Sequence, residues 1–370
     1  MTVLVKRSSG RWLRGPCSGA RVLAIPALVL GLAASPKAQA DTFQRPLDQP
    51  AQASSFAARG PLLAIAAAGS RFVAVGQRGH IIYSDDAGKT WAQASVPVST
   101  DLVAVSFASA RKGWAVGHGG VVLKTTDAGA TWIKQLDGRK SAEIALRYLE
   151  SKAGTLAGAQ KLVEREKRLA DDGGTQPLMA VHFESETTGC VAGAFNRLFC
   201  TEDGGTTWTP WMDRIDNPNE LHFYAIAGCA KGICLAGEQG MVWHFDAEKG
   251  RFVTRALPYQ GSIFGLLADG ADTLFAFGLR GSLFRSVDEG KSWEKVSIGS
   301  QAGITSGAVL PGGAILLATQ AGEIVRSVDA GKTFARLNTA RPMAYYGVVG
   351  APGGKAVLVG SEGARVEDVH

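Results

Sequence analysis

An eight-residue pattern constrains this chain more than any other feature. It reads Ser84-Asp85-Asp86-Ala87-Gly88-Lys89-Thr90-Trp91, and it returns at 125–132, 201–208, 286–293 and 327–334. A degraded copy follows Phe245-Asp246, with Phe252 behind it. Ahead of each copy a glycine ends a short loop and an apolar run begins: Gly79, Gly120, Gly240, Gly281, Gly322 and Gly363. Gly79 and Gly120 are 41 residues apart, and the last four follow one another at 41, 41 and 41. Asn196 takes this place in the third unit, and Asn also tolerates positive φ. A fixed period of this length marks a repeat array that closes as one unit, so 370 residues need not divide into two or three domains. The seventh unit, around Gly360-Ser361-Glu362-Gly363, stops before its Asp box.

Each unit reads as four short strands. In the second they are Leu102-Val103-Ala104-Val105-Ser106-Phe107, Gly113-Trp114-Ala115-Val116-Gly117, Val121-Val122-Leu123-Lys124 and Thr131-Trp132-Ile133-Lys134. Loops of Gly, Ser, Asp and His join them, and the chain holds 47 glycines to make such turns. Four-stranded units of this length are propeller blades. The expectation is an all-β, seven-bladed β-propeller, with Asp-box turns between strands three and four. Asp86, Asp127, Asp203, Asp288 and Asp329 should accept backbone N–H bonds across those turns. Trp91, Trp132, Trp208 and Trp293 should pack over the hairpins. Ring symmetry spreads the aspartates around the rim, so their expected role is structural rather than catalytic. Because the seventh unit lacks its fourth strand, residues 42–47 (Thr-Phe-Gln-Arg-Pro-Leu) are expected to supply it and remove an open edge.

One interval breaks the period. Asp127 and Asp203 are 76 residues apart, which leaves an insertion over residues 137–177. From Ser141 its pattern turns helical: Ala145, Leu149, Ala153 and Leu156, then Ala159, Leu162 and Val163, with charges between. Gly154 and Gly158 are placed to break it into a helical hairpin, and Asp171-Asp172-Gly173-Gly174 ends it. Two readings stand open: a helix lying on the propeller's flank, or an arm over 141–170 that docks a partner.

The N-terminus explains the charge. Lys6, Arg7, Arg11, Arg14 and Arg21 precede an apolar stretch from Val22 to Ala34, and Ala38-Gln39-Ala40 follows as a cleavage signal. Residues 1–40 therefore read as a cleaved Sec-type signal peptide, with a periplasmic product in which 41–370 form the propeller. Of the 39 Lys and Arg, six lie in that segment, which has no Asp or Glu, so the rest carries 33 of each sign. A neutral product gives no ground for expecting nucleic acid or anionic lipid as a partner. Cys17 lies in the signal. Cys190, Cys200, Cys229 and Cys234 remain, an even number that favours disulfides in an exported chain. Cys190 and Cys200 flank a hairpin centred on Phe195, and Cys229 and Cys234 flank a four-residue loop, so those are the expected pairs. No His sits at ligand spacing in the sequence beside them, and no metal or cofactor is expected.

The run from Trp91 to Trp132, with Leu102-Val103-Ala104-Val105, Gly113-Trp114-Ala115-Val116-Gly117 and Thr125-Thr126-Asp127, closely resembles the photosystem II assembly and stability factor family of BNR/Asp-box propellers. The Asp box alone is shared with sialidases and sortilin-type propellers. Its combination with G-W-A-V-G across seven units is more specific, and the resemblance extends over the mature chain. It implies a non-catalytic, monomeric scaffold that binds membrane-protein subunits of a photosystem-type or RND-type transporter complex, with no small-molecule substrate. The helical insertion departs from the photosynthetic pattern.

The competing class is a sialidase-like glycoside hydrolase. Such an enzyme needs an arginine triad, a Tyr nucleophile with a Glu partner, an acid Asp and an Arg-Ile-Pro-type segment. That segment is missing from the sequence, and Tyr345-Tyr346 fall in a strand where a core or channel-lining role is expected. For binding, the loops between strands two and three carry Arg78, His118, Arg197 and Arg280, against Gln239, Gln320 and Glu362 elsewhere. They are expected to form a basic ring on one face. Lys124, Arg285 and Arg326 recur in strand three, nearer the opposite face.

Overall fold

A computed structural model describes residues 44–154, 158–230, 232–270, 272–339 and 341–370. Residues 1–43, which include the expected signal peptide 1–40 with Cys17 and the Thr42 and Phe43 of the expected closing strand, lie outside the described residues. Seven antiparallel sheets follow one another along residues 44–370, each wound in sequence order from an inner to an outer strand, as expected for the seven-bladed propeller. The inner strands are Leu62–Ala68, Leu102–Phe107, Leu178–Phe183, Phe223–Cys229, Ile263–Asp269, Ile304–Val309 and Tyr345–Ala351. Six sheets have four strands and the seventh has three.

Second strands such as Gly113–Gly117 and Ile315–Thr319 are buried along their whole length. Each lies mid-blade with a neighbouring blade against both faces, so its residues read as an unbroken apolar run rather than an alternating one. Gly117 closes its strand because the inner strand passes too near for a side chain: a Cβ there would stand 2.0 Å from the Asp101 carbonyl oxygen.

The box tryptophans seal the seams between blades. Trp132, from the second blade, is buried in a cluster with Val73, Val75 and Ile81 of the first. Trp208 of the third packs with Trp114 and Val122 of the second. They therefore cover the preceding blade as well as their own hairpin, which sequence spacing alone does not distinguish.

Ring closure differs from the expected arrangement. Residues 44–47 do not join the seventh blade; Pro46–Asp48 form one 3-10 turn beside the first two blades. The Ser99 amide donates to the Pro46 carbonyl at 2.8 Å and Ala51 to Val96 at 3.0 Å, while Leu47 packs on the first cluster. Asp48 is held by Arg139 at 2.8 Å and Lys134 at 3.2 Å. Pro46 has no amide to give a ladder, and these contacts hold the segment elsewhere. The ring closes instead by apolar packing of blade on blade, with the Ala364 amide donating to the Ala58 carbonyl at 3.2 Å. Ile65, Phe72 and Trp91 of the first meet Val357, Val359 and Val366 of the seventh. The last strand, Gly363–Asp368, carries Arg365, Glu367 and Asp368, charges that discourage edge-to-edge pairing.

The insertion folds as two helices, α1 (Gly138–Ser151) and α2 (Ala159–Asp171). Asp137 caps the first, accepting from the Lys140 amide at 3.1 Å. Ala142, Ala145 and Leu149 are buried, and Ala145 with Ile144 joins the cluster of Val122, Leu136 and Met212. The hairpin lies on the propeller and does not project from it.

Candidate functional site: the two faces of the propeller

Every intact Asp box is built alike. The Asp86 carboxylate accepts from the Thr90 amide at 2.8 Å, the Thr90 hydroxyl at 2.6 Å and the Ser84 hydroxyl at 2.8 Å. The same three contacts recur around Asp127, Asp203, Asp288 and Asp329. Hydroxyl and then amide donors hold the carboxyls of Asp86, Asp203 and Asp288 down to about 2. Carboxylates saturated this way lack the freedom of a general acid, in keeping with a structural role.

The recurring strand-three cations also act between blades. Lys124 Nζ donates at 2.8 Å to the carbonyl of Gly204, the residue after the next blade's box aspartate. Arg285 Nε donates at 2.8 Å to the corresponding carbonyl of Ala330. Arg326 faces the seventh blade, which has no box, and its buried Nε has no partner among the described residues.

The loops between strands two and three define the opposite face. Arg78 and Arg280 occupy the same backbone seat, with φ of 56° and 58°, and both are exposed. Gly119 and Gln239 fill it in the second and fourth blades, at 68° and 56°. His118 is exposed but stands one residue before the seat, and Gln320 likewise precedes Ala321.

Arg197 does not belong to a basic ring. It is 2% exposed, and its Nη1 donates at 2.5 Å to Glu166 of α2, itself fully buried. Arg165 adds contacts to Glu166 at 2.9 Å and Glu220 at 3.2 Å. Arg197 thus anchors the hairpin instead of facing solvent beside Arg78 and Arg280. With Tyr148 bonded to Asp213 at 3.0 Å and Lys152 at 3.1 Å from the same carboxylate, the hairpin is fixed on the Arg78–Arg280 face. Only long-range contact brings Glu166 to Arg197, but register already sets this arginine apart: with Asn196 in the place of Gly79, the seat of Arg78 belongs to Phe195, at φ 54°.

Both expected disulfides form, Cys190–Cys200 and Cys229–Cys234. Register places His244 opposite Cys234, so the three side chains Cys229, Cys234 and His244 converge within 4.8 Å. A disulfide leaves no thiolate for a metal, so this trio is not a metal centre while the bond is intact. Tyr345 is fully buried in the core, as expected. The cavities beside Arg78, Arg165 and Arg255 hold one arginine each.

A family model described as "Photosynthesis system II assembly factor YCF48" matches residues 62–141 and 84–163. Over those residues the repeat is similar to that of the photosystem II assembly factor family. The match spans the first two blades and most of the helical hairpin, and it bears out the resemblance carried by the motifs. The structure described as "YCF48 bound to D1 peptide" aligns with a TM-score of 0.60 and 17% identity, covering 85% of this chain and 94% of that one. YCF48 from Cyanidioschyzon merolae aligns with a TM-score of 0.60 and 15% identity, covering 87% and 98%. The WD40 propeller domain of Doa1 gives 0.60 and 11%, covering 86% and 95%. At these identities the structural likeness speaks for the fold. No curated protein matches the sequence.

Proposed function

We propose that this chain is an exported, non-catalytic scaffold that binds a membrane-protein subunit through the face carrying Arg78 and Arg280. The observation that carries the reading is their shared seat: two exposed guanidiniums on identical backbone turns, on the face where the helical hairpin is docked. A planar guanidinium binds carboxylates with two parallel bonds, which suits an acidic tail or loop of a partner. The structure described as YCF48 bound to D1 peptide, a propeller of the same fold, supports peptide capture as the mode of binding. The partner classes that the resemblance implies are a photosystem-type subunit and a transporter subunit of the RND type. His118 and the exposed side of α2 add to the same surface. No helix among the described residues is long and apolar enough to cross a membrane.

The test is capture from detergent-solubilised membranes by the wild type and by the Arg78→Glu/Arg280→Glu double variant. Both residues are exposed, so circular dichroism should be unchanged while capture falls roughly tenfold or more, because rim charges steer association. Undiminished capture by the double variant would remove this face from the proposal. Turnover of a sialoside by the wild type would replace it with the glycosidase reading.

A further inference from the structure

The fourth blade has lost its Asp box, and the loss leaves a cleft. Phe245 follows Gly240 by five residues, as Ser84 follows Gly79, so a phenyl ring stands where the box hydroxyl should be. Asp246 pairs with Arg251, and the turn between them is shorter than a box. In four of the five intact blades the box glycine presses on the blade before it, the exception being Gly290, which meets Trp293 and Leu274 of its own blade. A Cβ on Gly129 would meet Val73, one on Gly331 would meet Phe275, and one on Gly88 would meet Val357. Around Gly250 nothing lies within 4 Å.

The unfilled space is a cleft of about 180 Å³ at the seam of blades three and four. The Cys190–Cys200 disulfide forms one wall, with Ile233, Phe245 and Ala247 opposite and Trp211 beside them. Trp211 and Phe245 stack at 4.9 Å, which gives the cleft a firm aromatic side. A dry apolar cavity of about 150 Å³ accepts a benzene ring, so the space suits one aromatic side chain. At the mouth stand Glu184 and Glu202, both exposed, and neither enters an ion pair among the described residues. Two unpaired carboxylates around an apolar hole complement an aromatic residue flanked by cations.

The geometry points to a second docking site here, on the Asp-box face, for a polypeptide segment that presents an aromatic side chain next to lysine or arginine. It shares no residue with the Arg78–Arg280 face and takes a partner segment of opposite charge. The two surfaces therefore stand or fall separately.

The probe is the peptide acetyl-Lys-Phe-Lys-amide, followed through the Trp211 indole N–H resonance in ¹⁵N-labelled protein and assigned with Trp211→Phe. A saturable shift is expected, absent with acetyl-Lys-Ala-Lys-amide and with acetyl-Glu-Phe-Glu-amide. Ala247→Trp, at an exposed wall position, should fill the cleft and abolish the shift. Glu184→Gln with Glu202→Gln should weaken binding roughly threefold to tenfold, the range for two exposed ion pairs. Equal response to the phenylalanine and alanine peptides, or binding that survives Ala247→Trp, would overturn the assignment. So would concentration-dependent dimerisation that Ala247→Trp removes, because the occupant would then be a second copy of this chain.

Discussion

At the scale of the residue, the box aspartate does most to set the fold's local geometry. It gathers hydroxyl and amide donors that an unfolded chain would surrender to water, and its proton affinity falls as a result. The sign of the linkage follows. With folded values of about 2 for Asp86, Asp203 and Asp288 against a usual value near 3.8, the stabilisation is complete above about pH 4 and disappears as pH falls toward 2. Burial holds the imidazoles of His182 and His244 below their ordinary value, so their protonation also favours unfolding, beginning below about pH 6.5. Urea midpoints measured from pH 7 to pH 2.5 should therefore decline gently at first and steeply below pH 4. Replacing Asp203 by Asn should flatten the lower limb, and an unchanged limb would mean that the boxes do not govern acid stability. The recurring aspartates were legible from spacing. The strand-three cations were visible too, but their carbonyl partners belong to the next blade, so their purpose was not.

At the scale of the element, the helical hairpin shows how an insertion is held on a closed ring. Of the stripe expected from helical spacing, Ala145 and Leu149 are buried, Ala153 lies exposed past the end of α1, and Leu156 is outside the described residues. What fixes the hairpin is the buried set of Glu166, Arg165 and Arg197. Removing one member of such a set leaves a charge without its counterion, at a cost of about 3 to 5 kcal/mol. Glu166→Ala should lower stability by that order, while Glu166→Ala combined with Arg197→Met should recover part of it. Chemical denaturation of both variants measures this. If the single variant were as stable as the wild type, the hairpin would be held by its apolar stripe alone. The choice between a flanking helix and a projecting arm turned on these ion pairs, and charged residues in a helix read as solvated until their partners are known.

At the scale of the whole molecule, the ring closes without a borrowed strand. The seam between blades one and seven is mainly apolar packing, with a backbone bond from Ala364 to Ala58, and residues 46–51 lie beside blades one and two. Deleting residues 44–53 should therefore keep one cooperative unfolding transition and cost about 2 kcal/mol, mainly the burial of Leu47. Urea unfolding followed by tryptophan fluorescence decides it, and loss of the cooperative transition would show that the segment is needed for closure. The sequence by itself determined the blade count, the strand order within each blade, the boxes, the place of the insertion and both disulfides. All of these follow from period and from short-range register, which the chain carries locally. The tertiary structure alone decided which arginines remain free, where the insertion lies, how the ring shuts and where a missing turn leaves a cleft. Each of these depends on residues of different blades meeting across a seam, and the energy of such contacts is set by burial and pairing that no local pattern records.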